Sequence, residues 1–153
     1  MPRATRPATS AARTSEVSSK PLLDKLGVKP GMVISVLGSA DAALARQARA
    51  RSATVSTGRL ARGSDLVFVF ADSLAGLERV KSARAAIQRN GGIWVIFPKG
   101  RPTLGGDQVR AVAFANALVD VKVVSYSATQ TGLKLVIRLA DRRKVLSPRT
   151  NLS

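Results

Sequence analysis

Histidine and cysteine are both absent from this chain of 153 residues, and each absence removes a group of functions. Without histidine the chain lacks the commonest general base, the commonest metal ligand and every Ser-His or Cys-His nucleophile. Without cysteine it has no disulfide framework and no thiolate metal site, which is compatible with a cytoplasmic protein. No pair of carboxylates has a spacing that indicates acid–base catalysis. We therefore predict no catalytic residue, no metal site and no cofactor.

Acidic residues and long apolar runs are also scarce. Nine Asp and Glu stand against 25 Lys and Arg, which gives a net charge of +16. A domain this basic attracts polyanions, so nucleic acid and an acidic protein are the candidate partners, with improved solubility as the alternative explanation. No apolar run approaches the roughly 20 residues of a membrane-spanning helix, and we expect no membrane span.

The composition divides the chain into three parts. Residues 1–20 are rich in Ala, Ser, Thr, Pro and Arg without apolar periodicity, which predicts a disordered basic tail, with an organelle transit peptide as the alternative. Residues 140–153 show no strong pattern and are predicted to form a basic C-terminal tail. Residues 21–139 alternate apolar runs with amphipathic stretches and are predicted to form one domain.

Within that domain, a run of five apolar residues, 93–97, lies between Gly91-Gly92 and Pro98-Lys99-Gly100 and is typical of a strand buried on both faces. Its Trp94 is predicted to belong to the core. The predicted order is helix 21–26, strand 32–37, helix 40–49, short strand 53–56, strand 65–71, helix 74–89, strand 93–97, helix 107–118, and hairpin strands 121–127 and 133–139. This order predicts an α/β fold with a mainly parallel sheet covered by helices and a C-terminal antiparallel hairpin.

Candidate ligand-binding residues follow the predicted parallel strands, because open α/β sheets bind ligands at the carboxyl ends of their strands. Gly38 follows the first strand, and its alternative interpretation is a strand-to-helix turn. Asp72 and Ser73 follow the third strand, where a helix cap is the alternative. Lys99 and Arg101 follow the fourth strand and are suited to a phosphate or carboxylate, with a solvated loop as the alternative.

A second set of candidates consists of basic residues. No acid occurs between residues 42 and 64, and the following predicted helix carries further arginines on its outer face. We interpret this set as a nucleic-acid surface with little sequence preference, because residues 46–62 contain no aromatic residue to stack on bases. The candidates are Arg46, Arg49, Arg51, Arg59, Arg62, Arg79, Arg84, Lys99 and Arg101.

The element order resembles the Rossmann-like sheet of the S-adenosylmethionine-dependent methyltransferases, shortened in its second and third units. Three stretches are also similar to a family of small bacterial proteins of unknown function: Lys29-Pro30-Gly31-Met32 with Leu37-Gly38, Gly92-Ile93-Trp94-Val95 with Pro98-Lys99, and Leu118-Val119-Asp120-Val121-Lys122 with Gly132-Leu133-Lys134. The resemblance covers about residues 21–139, and that family implies no activity.

The methyltransferase resemblance implies a glycine-rich loop after the first strand and an acid after the second, which binds the ribose of the cofactor. Here the first loop has the single Gly38, and the second strand is followed by no acid before Asp65. We therefore expect no useful binding of S-adenosylmethionine.

Three functional hypotheses remain open at this point. The first is a non-enzymatic, methyltransferase-like domain that binds nucleic acid or a ribonucleoprotein. The second is a methyltransferase-like small-molecule enzyme with an atypical site. The third is an interaction module for an acidic protein.

Overall fold

The computed structural model describes residues 22–38 and 42–138. The predicted tails, residues 1–20 and 140–153, lie outside the described residues. So do the last residue of the predicted strand 133–139 and the start of the predicted helix 40–49.

The described residues form six strands and the helices that cover them. The strands are β1 (Val33–Leu37), β2 (Thr54–Thr57), β3 (Ser64–Phe70), β4 (Ile87–Pro98), β5 (Leu118–Ser125) and β6 (Gln130–Ile137). The helices are α1 (22–26), α2 (Ala42–Ala50), α3 (Arg79–Ala86) and α4 (Gly106–Ala115), and a 3₁₀ helix (Leu74–Glu78) leads into α3.

The sheet has the order β2-β1-β3-β4-β6-β5. Strands β2, β1, β3 and β4 are parallel to one another, whereas β6 is antiparallel to both β4 and β5. The predicted mainly parallel α/β fold with a C-terminal antiparallel hairpin is confirmed. Because the chain leaves β1 in one direction to β2 and then crosses to β3 on the other side, the switch point of the sheet lies between β1 and β3.

Two hydrophobic clusters lie on opposite faces of the sheet. On one face, α1 and α2 pack on β1 and on the even-numbered residues of β3 and β4, including the fully buried Trp94. On the other, α3 and α4 pack on Val67, Val69, Ile93 and Val95. We call these surfaces the α2 face and the α3 face. Trp94 is confirmed as a core residue, and its indole N–H donates to the Leu26 carbonyl at 3.0 Å.

The connection from β2 to β3 is a loop, residues 58–63, in place of a helix. It crosses the α3 face, where Leu60 packs against the core. Two buried serines hold it: the Ala61 N–H donates to Ser35 Oγ at 2.9 Å, and Ser64 Oγ bonds both Ser35 Oγ and the Ala61 carbonyl. Side-chain hydrogen bonds from β1 and β3 therefore hold this crossover in place.

The predicted helix 74–89 is wrong in its last turn. The helix ends at Ala86, and Ile87 is extended (φ −78°, ψ 155°) and begins β4, so it belongs to a strand and not to a helical stripe. Gly91 and Gly92 lie inside β4 and do not stop a helix. A Cβ at Gly91 would come within 3.0 Å of the Ser64 and Asp65 carbonyls, so this glycine permits close strand contact.

The predicted hairpin is correct in kind and shifted in position. Its strands begin three residues before the predicted starts, and Gly132 lies inside β6 and does not end the turn. A Cβ at Gly132 would lie 3.0 Å from Ile96 Cδ1 and 3.3 Å from Trp94 Cε3, so this glycine makes room for the core. Helix α4 likewise ends early, because Ala117 has a φ of 61° and Leu118 begins β5.

The described helices are short, with at most ten residues each. None of those within residues 22–38 and 42–138 is long and apolar enough to cross a bilayer.

Candidate functional site

A crevice of about 390 Å³ lies at the carboxyl edge of the sheet, at the switch point between β1 and β3. Its lining residues come from the ends of three parallel strands, from the start of α3 and from the start of β6. The lining residues are Gly38, Phe70, Ala71, Asp72, Arg79, Pro98 and Gln130. Ligands of open α/β sheets bind in this position because the diverging connections leave space there.

Of the residues predicted for this edge, Gly38 and Asp72 line the crevice. Gln130 was not predicted, because it comes from β6 and reaches the edge only through the antiparallel pairing of Gln130 with Pro98. Arg79 was predicted for a different role and also lines the crevice, at the start of α3. No local sequence signal indicates either contribution to this crevice.

Gly38 is required by the packing of β1 against β3. Its φ is +97°, and a Cβ there would lie 2.2 Å from the Phe70 carbonyl oxygen. Both observations explain why this position is glycine, and neither depends on a bound ligand. The space beside the Gly38 Cα is therefore occupied by the backbone of the neighbouring strand.

The end of β2 carries no acid that faces this edge. Thr57 ends the strand, and Gly58 and Arg59 follow it. Asp65, the next acid, lies at the amino end of β3, where its carboxylate accepts a hydrogen bond from the Val33 N–H at 2.9 Å. The acid is thus at the opposite edge of the sheet and has a structural role at the start of β1.

The other predicted edge residues bond to nearby parts of the chain. Ser73 occupies the N-cap position of the 3₁₀ helix, but its side chain makes no cap hydrogen bond. The Arg101 guanidinium donates to the Asp72 carbonyl at 2.7 Å, and the Lys99 ammonium donates to Ser125 Oγ at 2.8 Å. These bonds tie the loop after β4 to the ends of β3 and β5.

A second, shallow depression of about 600 Å³ lies between that loop, α4 and the hairpin. Lys99, Arg101 and Arg110 contribute its cations, and Leu104 and Val123 contribute apolar surface. Arg110 forms ion pairs with Asp107 at 3.5 Å and Asp120 at 3.1 Å, which reduces the charge available there.

The sheet separates the predicted basic residues into two groups. Arg46, Arg49 and Arg51 belong to α2 and its end, on the α2 face. The other six candidates belong to the α3 face or to the carboxyl edge of the sheet. They are Arg59 and Arg62 in the crossing loop, Arg79 and Arg84 on α3, and Lys99 and Arg101 after β4. The nine candidates therefore cannot form one continuous surface, and Lys81, exposed on α3, is an unpredicted member of the second group.

Three of the predicted arginines form hydrogen bonds or an ion pair with other elements of the fold. Arg51 forms an ion pair with Asp24 at 2.8 Å and also donates to the Val28 carbonyl. Arg49 donates to the Val55 carbonyl at 3.0 Å, and Arg84 to the Asn116 carbonyl at 2.7 Å. Although the sequence has no acid near Arg51, the fold brings Asp24 to it from α1.

The fold is Rossmann-like and is similar to that of methyltransferase domains. No protein-family model and no curated protein matches the chain. Among solved structures, an S-adenosylmethionine-dependent methyltransferase from Aquifex aeolicus is similar with a TM-score of 0.62 and 13% identity, over 84% of this chain and 94% of that chain. At this identity the likeness shows the fold alone.

Two further solved structures have a similar fold. A putative type 11 methyltransferase from Sulfolobus solfataricus has a TM-score of 0.58 and 14% identity, over 79% of this chain and 92% of that chain. The magnesium protoporphyrin IX methyltransferase of Synechocystis PCC 6803, with bound S-adenosylhomocysteine, has a TM-score of 0.57 and 11% identity, over 82% of this chain and 83% of that chain.

Proposed function

We propose that this chain is a non-enzymatic, methyltransferase-like domain that binds nucleic acid through its α3 face with little sequence specificity. The observation that carries the proposal is the group of exposed cations on that face, namely Arg59, Arg62, Arg79 and Lys81. The ion pairs among the described residues involve none of the four. Such cations are suited to phosphate, and guanidinium groups can donate two hydrogen bonds to it.

An exposed aromatic residue on α4 also favours the α3 face as the nucleic-acid-binding surface. Phe114 is 75% exposed, whereas the other aromatic side chains are buried. Arg110 precedes it by one helical turn and is also exposed. An aromatic ring beside cations suits single-stranded nucleic acid, because every base has a face that can stack on it.

The decisive experiment compares two matched double variants. Arg62→Gln with Lys81→Gln removes one Arg and one Lys from the α3 face, and Arg46→Gln with Lys25→Gln removes the same pair of residue types from the α2 side. All four residues are exposed. Fluorescence anisotropy with a labelled single-stranded oligonucleotide is measured at several salt concentrations.

We expect a slope of log K against log salt near −3.5 for the unmodified chain, if about five phosphates are neutralised. The α3-face variant should flatten this slope by about 1.4, because each lost phosphate contact contributes about 0.7. The α2-side variant should leave the slope unchanged. A salt-independent affinity, or equal effects of both variants, would reject the α3 face as the binding surface.

An acidic protein as partner would give a different result. Nucleic acid that copurifies with the chain raises the ratio of absorbance at 260 nm to that at 280 nm and is released by high salt. A chain that carries no nucleic acid and shows no oligonucleotide binding would instead favour the acidic partner.

A second candidate function is a small-molecule enzyme with an atypical site, and the switch-point crevice favours it. Asp72 and Arg79 both line this crevice and offer opposite charges to a polar ligand. The test is a thermal-shift screen of small carboxylates and phosphates, in which a true ligand of the crevice should stabilise the unmodified chain but not Arg79→Gln. A ligand that stabilises both equally binds elsewhere.

A further inference from the structure

Two lysines of the hairpin face each other on the α2 face, far from the basic surface discussed above. Lys122 in β5 is paired directly with Lys134 in β6. Like charges in directly opposed positions of an antiparallel pair destabilise it. This arrangement therefore needs a compensating interaction.

Lys134 is held in a slot and not extended into solvent. It is only partly exposed, and its Nζ lies 6.0 Å from the centroid of the Trp94 ring. Gly92 creates part of this slot, because a Cβ there would lie 2.7 Å from Lys134 Cε. Gly92 and Trp94 of β4 thus position the Lys134 side chain.

Two further lysines act on the charge of Lys134. Burial lowers the pKa of Lys134, and the nearby charges of Lys122 and Lys29 lower this pKa further. The Lys122 ammonium donates to the Lys25 carbonyl at 2.9 Å, which fixes it at the end of α1.

The described acids of the surrounding elements are engaged elsewhere. Asp24 of α1 is paired with Arg51, and Asp120 of β5 is paired with Arg110 of α4. Strands β4 and β6 contain no acid. Within the part of the chain that the structure describes, no carboxylate therefore neutralises the three lysines.

We propose that Lys29, Lys122 and Lys134 form a binding site for a phosphate-type oxyanion, such as the phosphate or pyrophosphate group of a small molecule. The directly paired Lys122 and Lys134, with the charge of Lys29 nearby, suit a compact anion that carries more than one charge. Binding would remove the repulsion between Lys122 and Lys134. The site lies across the sheet from the α3 face, so it is independent of the nucleic-acid proposal.

The single Trp of the chain provides the readout, because Lys134 contacts its ring. Sodium pyrophosphate is titrated at constant ionic strength while the Trp94 emission is recorded. The unmodified chain should give a saturable change. Lys134→Met and Lys122→Met should each weaken the binding by about tenfold, as expected for the loss of a charged hydrogen bond.

Lys81→Met is the matched control, because Lys81 is an exposed lysine on the opposite face. It should bind pyrophosphate as the unmodified chain does. Circular dichroism verifies the fold of each variant, and Lys29→Met serves if Lys134→Met is unfolded. An emission change that sodium chloride reproduces, or affinities that none of the cluster variants alters, would overturn the proposal.

Discussion

At the scale of single residues, the glycines of this chain are needed for different reasons. Gly31 and Gly38 both have a positive φ, of +83° and +97°. At Gly31 a Cβ would meet no atom within 4 Å, whereas at Gly38 it would lie 2.2 Å from the Phe70 carbonyl oxygen. The first position therefore needs glycine for its backbone angle alone, and the second also needs it for space.

This difference leads to a prediction about stability. Gly38→Ala should lower the free energy of unfolding by about 2 to 4 kcal/mol, because backbone strain and a clash with β3 act together. Gly31→Ala should lower it by only about 1 kcal/mol. Urea denaturation followed by circular dichroism measures both, and equal losses would show that the contact with Phe70 is unimportant.

Lys134 allows a prediction about pH dependence. Its native pKa lies below 10.5, so between that pKa and 10.5 the unfolded chain binds more protons, and stability rises with pH across this window. Lys134→Met keeps the stem over Trp94 and removes the charge that Lys29 and Lys122 repel. The variant should be more stable than the unmodified chain at about pH 7.

The advantage of Lys134→Met should shrink as the pH rises through the native pKa of Lys134, because the unmodified chain then loses the same charge. Urea unfolding at several pH values measures the difference, with Lys81→Met as an exposed control. A difference that stays constant up to pH 10.5 would mean that neither burial nor the neighbouring lysines lower the pKa of Lys134.

At the scale of elements, the apolar runs predicted most strand positions because residues buried on both faces of a parallel sheet leave a continuous apolar signal. The same signal was weak for the first part of β4, where Gln88, Arg89 and Asn90 are polar, and the sequence there favoured helix. Gly91 and Gly132 were interpreted as breaks because their role, close packing against other strands, depends on contacts distant in sequence.

The loop that replaces a helix between β2 and β3 also depends on such contacts. Ser35→Ala should lower the free energy of unfolding by about 1 to 3 kcal/mol, because it leaves the partly buried Ala61 N–H without its acceptor, the buried Ser35 hydroxyl. Urea denaturation measures this loss. Ser125→Ala, which removes an exposed bond to Lys99, should change stability by less than about 0.5 kcal/mol.

A double-mutant cycle tests whether Ser35 and Ser64 act as one unit. Because the two hydroxyl groups bond each other at 2.8 Å, the loss in the double alanine variant should be smaller than the sum of the single losses. Additive losses would show that the two serines support the loop independently.

At the scale of the whole molecule, the residue types of the basic surface were predictable but their grouping was not. Right-handed crossovers place α2 and α3 on opposite faces because the connections from β1 to β2 and from β3 to β4 run in opposite directions across the sheet. Strand order is not visible in the sequence, so arginines that are near in sequence, such as Arg51 and Arg59, were assigned to one surface. The crevice likewise combines Gly38, Arg79 and Gln130 only through this order.

The whole fold also predicts what the chain does not bind. Although its sheet resembles that of the methyltransferases, β2 ends in Thr57 without an acid for a ribose, and Asp65 lies at the opposite edge. The single glycine of the first loop, Gly38, is required by its close approach to the Phe70 carbonyl. We expect S-adenosylmethionine to bind with a dissociation constant above about 10 μM, a binding free energy weaker than roughly −7 kcal/mol. Isothermal titration calorimetry measures it, with Thr57→Asp as a variant that adds the carboxylate. Affinity below about 10 μM in the unmodified chain would show that neither departure prevents binding.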